Sequence, residues 1–247
     1  MRLAVLPAAA LAAALAAPAA ARADSWHWIT SGRAVQGDGK KVTQPRDVPE
    51  FKAVRLVGSL DVRVKVGAPR AASVTIDENL QPLVETHVEG DTLVIDTRNL
   101  SYRGEGRVDL ATPSLRAFAI EGSGDVAVDG SAATRADLQL SVSGSGNLDW
   151  RGQAGRLEVA IEGSGDVRLD GRAEALRLRI EGSGDVKAER LTAAAADVGI
   201  SGSGDAELTL AGGRLVASVE GSGDVVWHGS AQVERADVSG SGSIVRR

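Results

Sequence analysis

The residues of this chain whose type and spacing could support chemistry are carboxylates on either side of a repeated Gly-Ser-Gly triplet. Glutamate precedes the triplet in four copies and aspartate follows it in five: Glu121, Glu162, Glu181 and Glu220, and Asp125, Asp166, Asp185, Asp205 and Asp224. Calcium takes six to eight oxygen ligands, so a column of carboxylates could hold a row of such cations. Alternatively, the aspartates accept hydrogen bonds from turn amides while solvent screens their charge. The pattern assigns no metal ion and leaves both interpretations open.

Other catalytic groups are scarce. The chain has no cysteine, and His27, His87 and His228 lie far apart, without metal-ligand spacing or a neighbouring nucleophile. A carboxylate pair on a β-helix could also act as acid and base on a carbohydrate, but such sites usually need long loops around the substrate. The only excess over the regular spacing is a short one near residues 130–137. The sequence therefore predicts no catalytic residue, no cofactor and no enzyme activity.

The triplet sets the architecture that must position these side chains. Its first glycine recurs every 19 to 22 residues, and a regular period of this length predicts a stack of equivalent coils. Apolar residues stand two and four positions before that glycine and four and six after it, which is the alternation of strands with one buried face. Strands one period apart run in the same direction. We therefore predict an all-β fold, a single-stranded, parallel, right-handed β-helix or β-solenoid with 19–20-residue coils.

Each coil is expected to contain two short strands that flank the triplet, closed by a variable turn such as residues 170–174. The same alternation places both triplet glycines inward, and serine, aspartate and the preceding glutamate outward. Inward glycines suit a bend or a close approach of the backbone. We interpret the following glycines as structural: Gly122, Gly124, Gly144, Gly146, Gly163, Gly165, Gly182, Gly184, Gly202, Gly204, Gly221, Gly223, Gly240 and Gly242.

The last coil departs from the pattern. Glu234 stands at the inward position that holds Leu215 in the preceding coil, and Arg246 interrupts the apolar series after the triplet. Charges at these positions suit a terminal coil with nothing stacked on it. We predict that Glu234 and Arg246 form an end cap that limits pairing with another molecule.

The first 23 residues predict a signal peptide. Arg2 precedes an apolar, alanine-rich stretch that ends in small residues before Asp24. No later stretch approaches the roughly 20 apolar residues of a membrane helix, so we expect no transmembrane segment after cleavage. The expected location is the periplasm, the cell surface or the extracellular space.

The rest of the chain divides into an arm and a β-helix domain. Residues 24–50 predict an N-terminal arm or cap that covers the open end of a sheet. The β-helix domain is expected over residues 51–247, with less regular coils over 51–112 and regular coils over 113–247. Within the less regular part, residues 58–62 look like a degenerate first copy of the repeat.

Composition narrows the class of partner. The formal net charge is −5, with 28 basic and 33 acidic residues, and this mild acidic balance argues against a nucleic-acid partner. Without cysteine there is no disulfide framework, so the fold must rely on its apolar core.

Several segments agree with one known family: Phe51-Lys52-Ala53-Val54, Gly58-Ser59-Leu60-Asp61-Val62, Val88 to Ile95, Pro113-Ser114-Leu115 and the repeated Gly-Ser-Gly-Asp-Val. In these segments the chain resembles the putative autotransporter adhesin head GIN domain family, over roughly residues 50–245. The resemblance implies an exported, mostly parallel β-helix at the bacterial envelope. It brings no catalytic residues with it.

Together these observations predict an exported, non-catalytic envelope protein. Its rigid scaffold would bind a macromolecular partner: a glycan, a surface protein or a second copy of the chain. The alternative is a cation- or polysaccharide-binding module that uses the glutamates and aspartates beside the triplets. A carbohydrate-active enzyme is the third hypothesis.

Overall fold

A computed structural model describes residues 35–97, 106–133 and 135–247. The predicted signal peptide and residues 24–34 of the predicted arm lie outside these ranges. Within them the chain forms sixteen strands and one 3₁₀ helix. The strands are β1 (Lys41–Pro45), β2 (Ala53–Gly58), β3 (Asp61–Val66), β4 (Ala71–Asp77), β5 (Glu85–Glu89), β6 (Thr92–Asp96), β7 (Arg107–Thr112), β8 (Ala117–Gly122), β9 (Val126–Gly130), β10 (Ala136–Gly144), β11 (Leu148–Gly163), β12 (Val167–Gly182), β13 (Val186–Gly202), β14 (Ala206–Gly221), β15 (Asp224–Gly240) and β16 (Ser243–Arg246), and the 3₁₀ helix is Glu78–Leu83.

From β8 onward the coils stack in parallel along one axis. The first glycine of one triplet pairs with the first glycine of the next, as Gly163 does with Gly182. Apolar positions pair in the same way, so that Ile161 lies beside Ile180. These registers confirm the prediction of an all-β, parallel solenoid with coils of about 19 residues.

The predicted division of a coil into two short strands is seen in the first regular coil, where β9 ends at Gly130 and β10 begins at Ala136, but it is wrong for the later coils. From β11 onward a single strand runs from one triplet to the next, and β12 continues through residues 170–174, the segment expected to form a turn. Gly171 bends the backbone there with φ of +129°, yet it pairs with Gly152, and Ala173 pairs with Ala154. Ala173 is also buried. The backbone therefore stays hydrogen-bonded to the neighbouring strand through the bend, and Ala173 still packs in the core, although charged residues surround the bend in the sequence.

In the N-terminal part, order along the chain differs from order in space. The coil of β2 and β3 lies between β8 and β9 on one side and β6 and β7 on the other, all in parallel. Gly58 pairs with Gly122, so residues 58–61 stack in register with the regular triplets, as the sequence predicts. The coil that comes first in the chain is therefore the second in the stack.

Antiparallel strands and the 3₁₀ helix lie beyond β6 and β7. There β4 pairs with β7, β1 with β4, and β5 with β6. In the helix Leu80 and Gln81 are buried, and Gln81 Nε2 donates hydrogen bonds to the carbonyl oxygens of Val42 and Val74, at 2.9 and 3.0 Å. This helix could not be predicted from the sequence, because its six residues are too few to show an apolar period.

One apolar core runs inside the coils. It includes Trp150 and Trp227, which are 3% and 5% exposed. Among the residues that the structure describes, no helix has the length and apolar character needed to span a membrane.

Candidate functional site

The aspartate after each triplet bonds to the backbone of the next coil. The amide nitrogen of Asp185 donates to Oδ1 of Asp166 at 3.1 Å, and the amide of Asp205 donates to Oδ1 of Asp185 at 3.0 Å. The amide of Asp224 donates to Oδ1 of Asp205 at 2.8 Å. Each carboxylate therefore links its own coil to the one stacked on it.

The same contact continues through the copy that lacks aspartate. Asn147 donates its amide and its Nδ2 to Oδ1 of Asp125, at 3.1 and 2.9 Å, and its own Oδ1 accepts from the amide of Asp166 at 3.1 Å. At one end Oδ1 of Asp61 accepts from the amide of Asp125 at 3.2 Å. At the other end Ser243 donates both its amide and its hydroxyl to Oδ1 of Asp224 at 2.8 Å. We call this set the aspartate column: Asp61, Asp125, Asn147, Asp166, Asp185, Asp205, Asp224 and Ser243.

The column supplies an acceptor where the strand ladder is interrupted at each triplet. The serine amide has a backbone partner, since Ser164 donates to the carbonyl of Gly144 at 2.9 Å. The aspartate carbonyl has one too, because that of Asp185 accepts from the amide of Val167 at 2.8 Å. The aspartate amide has no backbone acceptor of this kind, and it donates instead to Oδ1 of the aspartate in the preceding coil. Backbone groups inside a fold rarely remain unpaired, so this aspartate serves the stacking of coils.

This geometry favours the hydrogen-bonding interpretation of the aspartates over a row of cations. Oδ1 of each linking aspartate is engaged with a backbone amide, whereas a calcium site needs six to eight oxygens. In the described part of the chain, no group of three or more histidine, aspartate or glutamate side chains is arranged to hold a metal ion.

The triplet glycines lie where neighbouring coils touch. A Cβ on Gly163 would lie 2.4 Å from the carbonyl oxygen of Gly144, and a Cβ on Gly165 would lie 2.1 Å from that of Gly146. Gly163 also has φ of +131°, a conformation that favours glycine. In this coil Gly165 is buried and Gly163 half-buried, so only the second glycine is fully inward. Equivalent close approaches recur in every triplet.

The glutamates before the triplets lie on the outer surface. Glu121, Glu162, Glu181 and Glu220 are all exposed. Serines interrupt their column, so like charges are adjacent only where Glu162 pairs with Glu181. Ser143 Oγ lies 3.4 Å from Oε2 of Glu162. The structure therefore brings two of these glutamates side by side and separates the others.

The predicted inward position of Glu234 is wrong. A register shift in the last coil pairs Val233, rather than Glu234, with Leu215. A bulge of this kind leaves the extra residue outside the ladder, and Glu234 is exposed, with Oε2 3.5 Å from Nη1 of Arg214. The residue count from the triplet did not reveal the bulge.

Arg246, the other residue of the predicted end cap, folds back onto the last complete coil. Its guanidinium lies 5.2 Å from the ring centroid of Trp227, a cation–π distance, and donates to the carbonyl of Gly229 at 2.5 Å. That the two residues limit self-association stays a prediction.

The described histidines pair with glutamates on the outer surface. Nε2 of His228 lies 2.8 Å from Oε1 of Glu207, and this hydrogen bond lowers the pKa of Glu207. Nε2 of His87 lies 3.1 Å from Oε1 of Glu89. Exposed pairs of this kind contribute little to stability. His27 lies outside the described residues.

The strands that follow the triplets carry a row of charges that the sequence analysis missed. The sign alternates from coil to coil through Lys65, Asp129, Arg151, Asp170 and Arg190. Oδ2 of Asp170 lies 3.2 Å from Nη2 of Arg151 and 3.7 Å from Nε of Arg190. In the sequence, these charged residues stand seven positions after the first glycine of their repeat. Arg190 is the exception and stands eight positions after it, because the register shifts by one residue before Asp170. Each aspartate of the row therefore lies between two basic residues, and the row has one more cation than anion.

Asp129 in this row is held in its ionised form. Its pKa is lowered first by the hydrogen bonds that Ser131 donates, including one from the Ser131 amide to Oδ1 at 3.0 Å. The nearby charges of Arg151 and Lys65 lower the pKa of Asp129 further.

A groove opens on this face beside Ala127. In the neighbouring row Ala127 separates Arg63 from Asp149, and its short side chain leaves a hollow of about 710 Å³. The lining includes Arg63, Lys65, Asp109, Asp129, Asp149, Arg151 and Arg168. Oδ1 of Asp149 lies 3.6 Å from Nη1 of Arg168, and Oδ2 of Asp109 lies 2.8 Å from Nε of Arg107. Among the described residues, Arg63 and Lys65 have no carboxylate within 4 Å. We call this hollow the Ala127 groove.

A comparison with protein families and with curated proteins gives one match. The model of the family described as "Putative auto-transporter adhesin, head GIN domain" matches residues 50–231. No curated protein matches the chain.

Solved structures share the fold. A crystal structure of a putative adhesin from Bacteroides fragilis is 23% identical, covers 87% of this chain and 100% of its own, and superposes with a TM-score of 0.80. A putative lipid binding protein from Parabacteroides distasonis is also 23% identical, with the same coverage and a TM-score of 0.70. A putative adhesin from Parabacteroides merdae is 21% identical, covers 87% of this chain and 99% of its own, and has a TM-score of 0.64.

Proposed function

Since the chain belongs to the head GIN domain family of putative auto-transporter adhesins, we propose that it is an exported, non-catalytic envelope protein that binds a macromolecular partner. We infer that the partner is an anionic glycan and that it lies along the Ala127 groove. The observation that carries this proposal is the pair of cations, Arg63 and Lys65, that line the groove with no carboxylate oxygen of the described residues within 4 Å.

The charges around the groove support an anionic ligand. Arg107 and Asp109 pair with each other, and Arg168 pairs with Asp149, so these four charges largely cancel. Arg63 and Lys65 pair in the strand ladder with Asp109 and Asp129 but form no ion pair with them within 4 Å. The lining carries five basic side chains and four aspartates, which is one positive charge in excess. An arginine can bind a carboxylate or sulfate through two parallel hydrogen bonds, and a lysine adds a point charge beside it.

The shape of the surface supports an extended ligand. Parallel strands about 4.8 Å apart make a rigid face along which like positions repeat, and such faces suit polymers better than small buried substrates. The groove crosses β3, β9, β11 and β12, so a chain of several sugar units could lie across the strands.

The family description supports binding rather than catalysis. Two of the similar structures are described as putative adhesins. The alternative module, in which the carboxylates beside the triplets bind cations or polysaccharide, has less support because Oδ1 of each linking aspartate already accepts a backbone hydrogen bond.

Isothermal titration calorimetry with polygalacturonate, which is an anionic polysaccharide, and with dextran, which is a neutral one, tests the proposal. We expect binding of polygalacturonate that weakens as salt rises, because salt screens exposed charges. The double variant Arg63→Glu and Lys65→Glu should weaken that binding by about tenfold or more.

The matched control is Arg156→Glu with Arg172→Glu, which changes the charge equally at exposed residues outside the groove. Equal weakening by both double variants would show that only net charge matters and would remove the groove assignment. Absence of binding to polygalacturonate would contradict the anionic ligand class.

A further inference from the structure

The C-terminal end of the solenoid leaves apolar side chains uncovered. In interior coils the residue two before the triplet is buried, as Ile200 and Val219 are at 3% and 1% exposure. The equivalent Val238 in the last coil is 43% exposed, and Val233 and Val245 are 46% and 39% exposed. These are the large apolar residues that a further layer of strand would cover.

The backbone of the same coil is unpaired on one side. β15 pairs with β14 along most of its length, but β16 covers only Asp224–Trp227 on the other side. From His228 to Gly240 no described strand pairs with that outer side. An exposed strand edge with unpaired amides and carbonyls is a template for another strand.

The opposite end of the stack does not offer a matching edge. Its outermost strands, β1 and β5, have five residues each and carry Lys41, Pro45, Glu85 and Glu89. Short strands with proline and charges are the usual means of blocking an edge. Head-to-tail stacking of copies is therefore disfavoured, which leaves the C-terminal end to meet an identical end.

We propose that two copies of this chain associate through their C-terminal ends, with the β15 strands paired antiparallel about a twofold axis at Ala236. A twofold axis brings identical edges together in opposite directions, so the contact is self-complementary. It would add one continuous sheet across the dimer and cover Val233 and Val238 of both copies. This proposal competes with the predicted end cap of Glu234 and Arg246, and the oligomeric state in solution decides between them.

The charges on β15 favour the register with Ala236 on the twofold axis over the two neighbouring registers. Arg235 and Asp237 lie on the same outward side of β15 and form an ion pair. With Ala236 on the axis, Arg235 faces Asp237 of the second copy, and the reverse pair forms as well. A shift of the axis to Asp237 would place two aspartates opposite each other, and a shift to Arg235 would do so with two arginines. Like charges directly opposite are destabilising.

The bulge supports the same arrangement. Val233 and Glu234 form the shifted pair of residues in β15, and a bulge sets two residues against one on the partner strand. With the axis at Ala236, Val233 and Glu234 of one copy together lie opposite Val238 of the second copy. The two most exposed valines then cover each other.

Sedimentation velocity over about 1 to 100 µM protein tests the proposal, since weak edge pairing dissociates in this range. We expect a monomer–dimer equilibrium. Asp237→Arg should weaken dimerisation by about tenfold or more, because it replaces two attractive contacts with two repulsive ones. The double variant Arg235→Asp with Asp237→Arg restores complementary charges and should recover the dimer.

Glu181→Arg is the control, because it makes the same change of charge on an interior coil of the same face. It should leave dimerisation unchanged. A monomer throughout the range, a filament instead of a dimer, or a dimer insensitive to Asp237→Arg would each overturn the proposal.

Discussion

Oδ1 of Asp166 lies 3.1 Å from the amide nitrogen of Asp185 and accepts its hydrogen bond, so one coil holds the next through a side chain. The same relationship recurs along the aspartate column. The repeat is thus maintained by a contact between copies of the same residue.

Replacing Asp166 with alanine should destabilise the protein by about 1 to 3 kcal/mol, because the amide of Asp185 would lose its acceptor in a part-buried position. Asp166→Asn is the matched control, since Asn147 already fills this role with its own Oδ1. Urea unfolding of both variants measures the difference. An asparagine variant as unstable as the alanine variant would contradict the hydrogen-bonding role.

Gly165→Ala should destabilise the fold by about 3 kcal/mol or more, since backbone atoms must move to admit the side chain. The new Cβ would lie 2.1 Å from the carbonyl oxygen of Gly146. At Gly130 the nearest atom to a new Cβ is 3.4 Å away, so Gly130→Ala controls for the loss of glycine itself. Thermal unfolding of the two variants compares them, and equal melting temperatures would argue against close approach at the triplet.

Asp129 should titrate below its usual pKa of 3.8, and Ser131→Ala should raise that pKa toward 3.8 because the largest cause is the hydrogen bonding from Ser131. A carboxylate whose pKa is lower in the folded state stabilises the fold above its unfolded pKa, and loses that contribution as the pH falls through the folded value. NMR titration of the side-chain carboxyl carbon gives both values. Alanine keeps the amide of residue 131, so an unchanged titration in Ser131→Ala would point to that amide, rather than the Ser131 hydroxyl, as the main cause.

The leader should be removed between Ala23 and Asp24. The basic residue, apolar stretch and small residues of the first 23 positions have the pattern of a cleaved signal peptide. Mass spectrometry of the protein from a periplasmic or secreted fraction measures the mature N-terminus. Recovery of the intact chain from the cytoplasm would contradict export.

The parallel stack could be predicted because two periods coincide in the sequence. Val159 and Ile161 are large apolar residues that alternate with Glu158, Ala160 and Glu162, and their counterparts Leu178 and Ile180 recur 19 positions later. The corner at Gly171 could not be predicted in the same way. A bend that stays inside the ladder shows the same glycine and charges as a turn that leaves it.

The candidate site was predicted in part. The hydrogen-bonding alternative for the aspartates follows from the tendency of aspartate side chains in turns to accept hydrogen bonds from backbone amides. The Ala127 groove was missed, because it depends on which coil lies beside Ala127, and the neighbour that carries Arg63 is more than 60 residues away in the chain. The register of Glu234 was missed because a bulge changes the pairing without changing the spacing of the triplets.

The interleaving of the first coil has a consequence for the order of assembly. β2 and β3 acquire neighbours on both sides only when residues 92–130 are present. The earliest coil of the chain therefore depends on a segment that is synthesised after it. Each later coil contacts only its neighbours in the stack, at intervals of about 19 residues. Removing a whole repeat from the regular array shortens the solenoid, whereas removing β6 or β7 leaves β2 or β3 with one open edge.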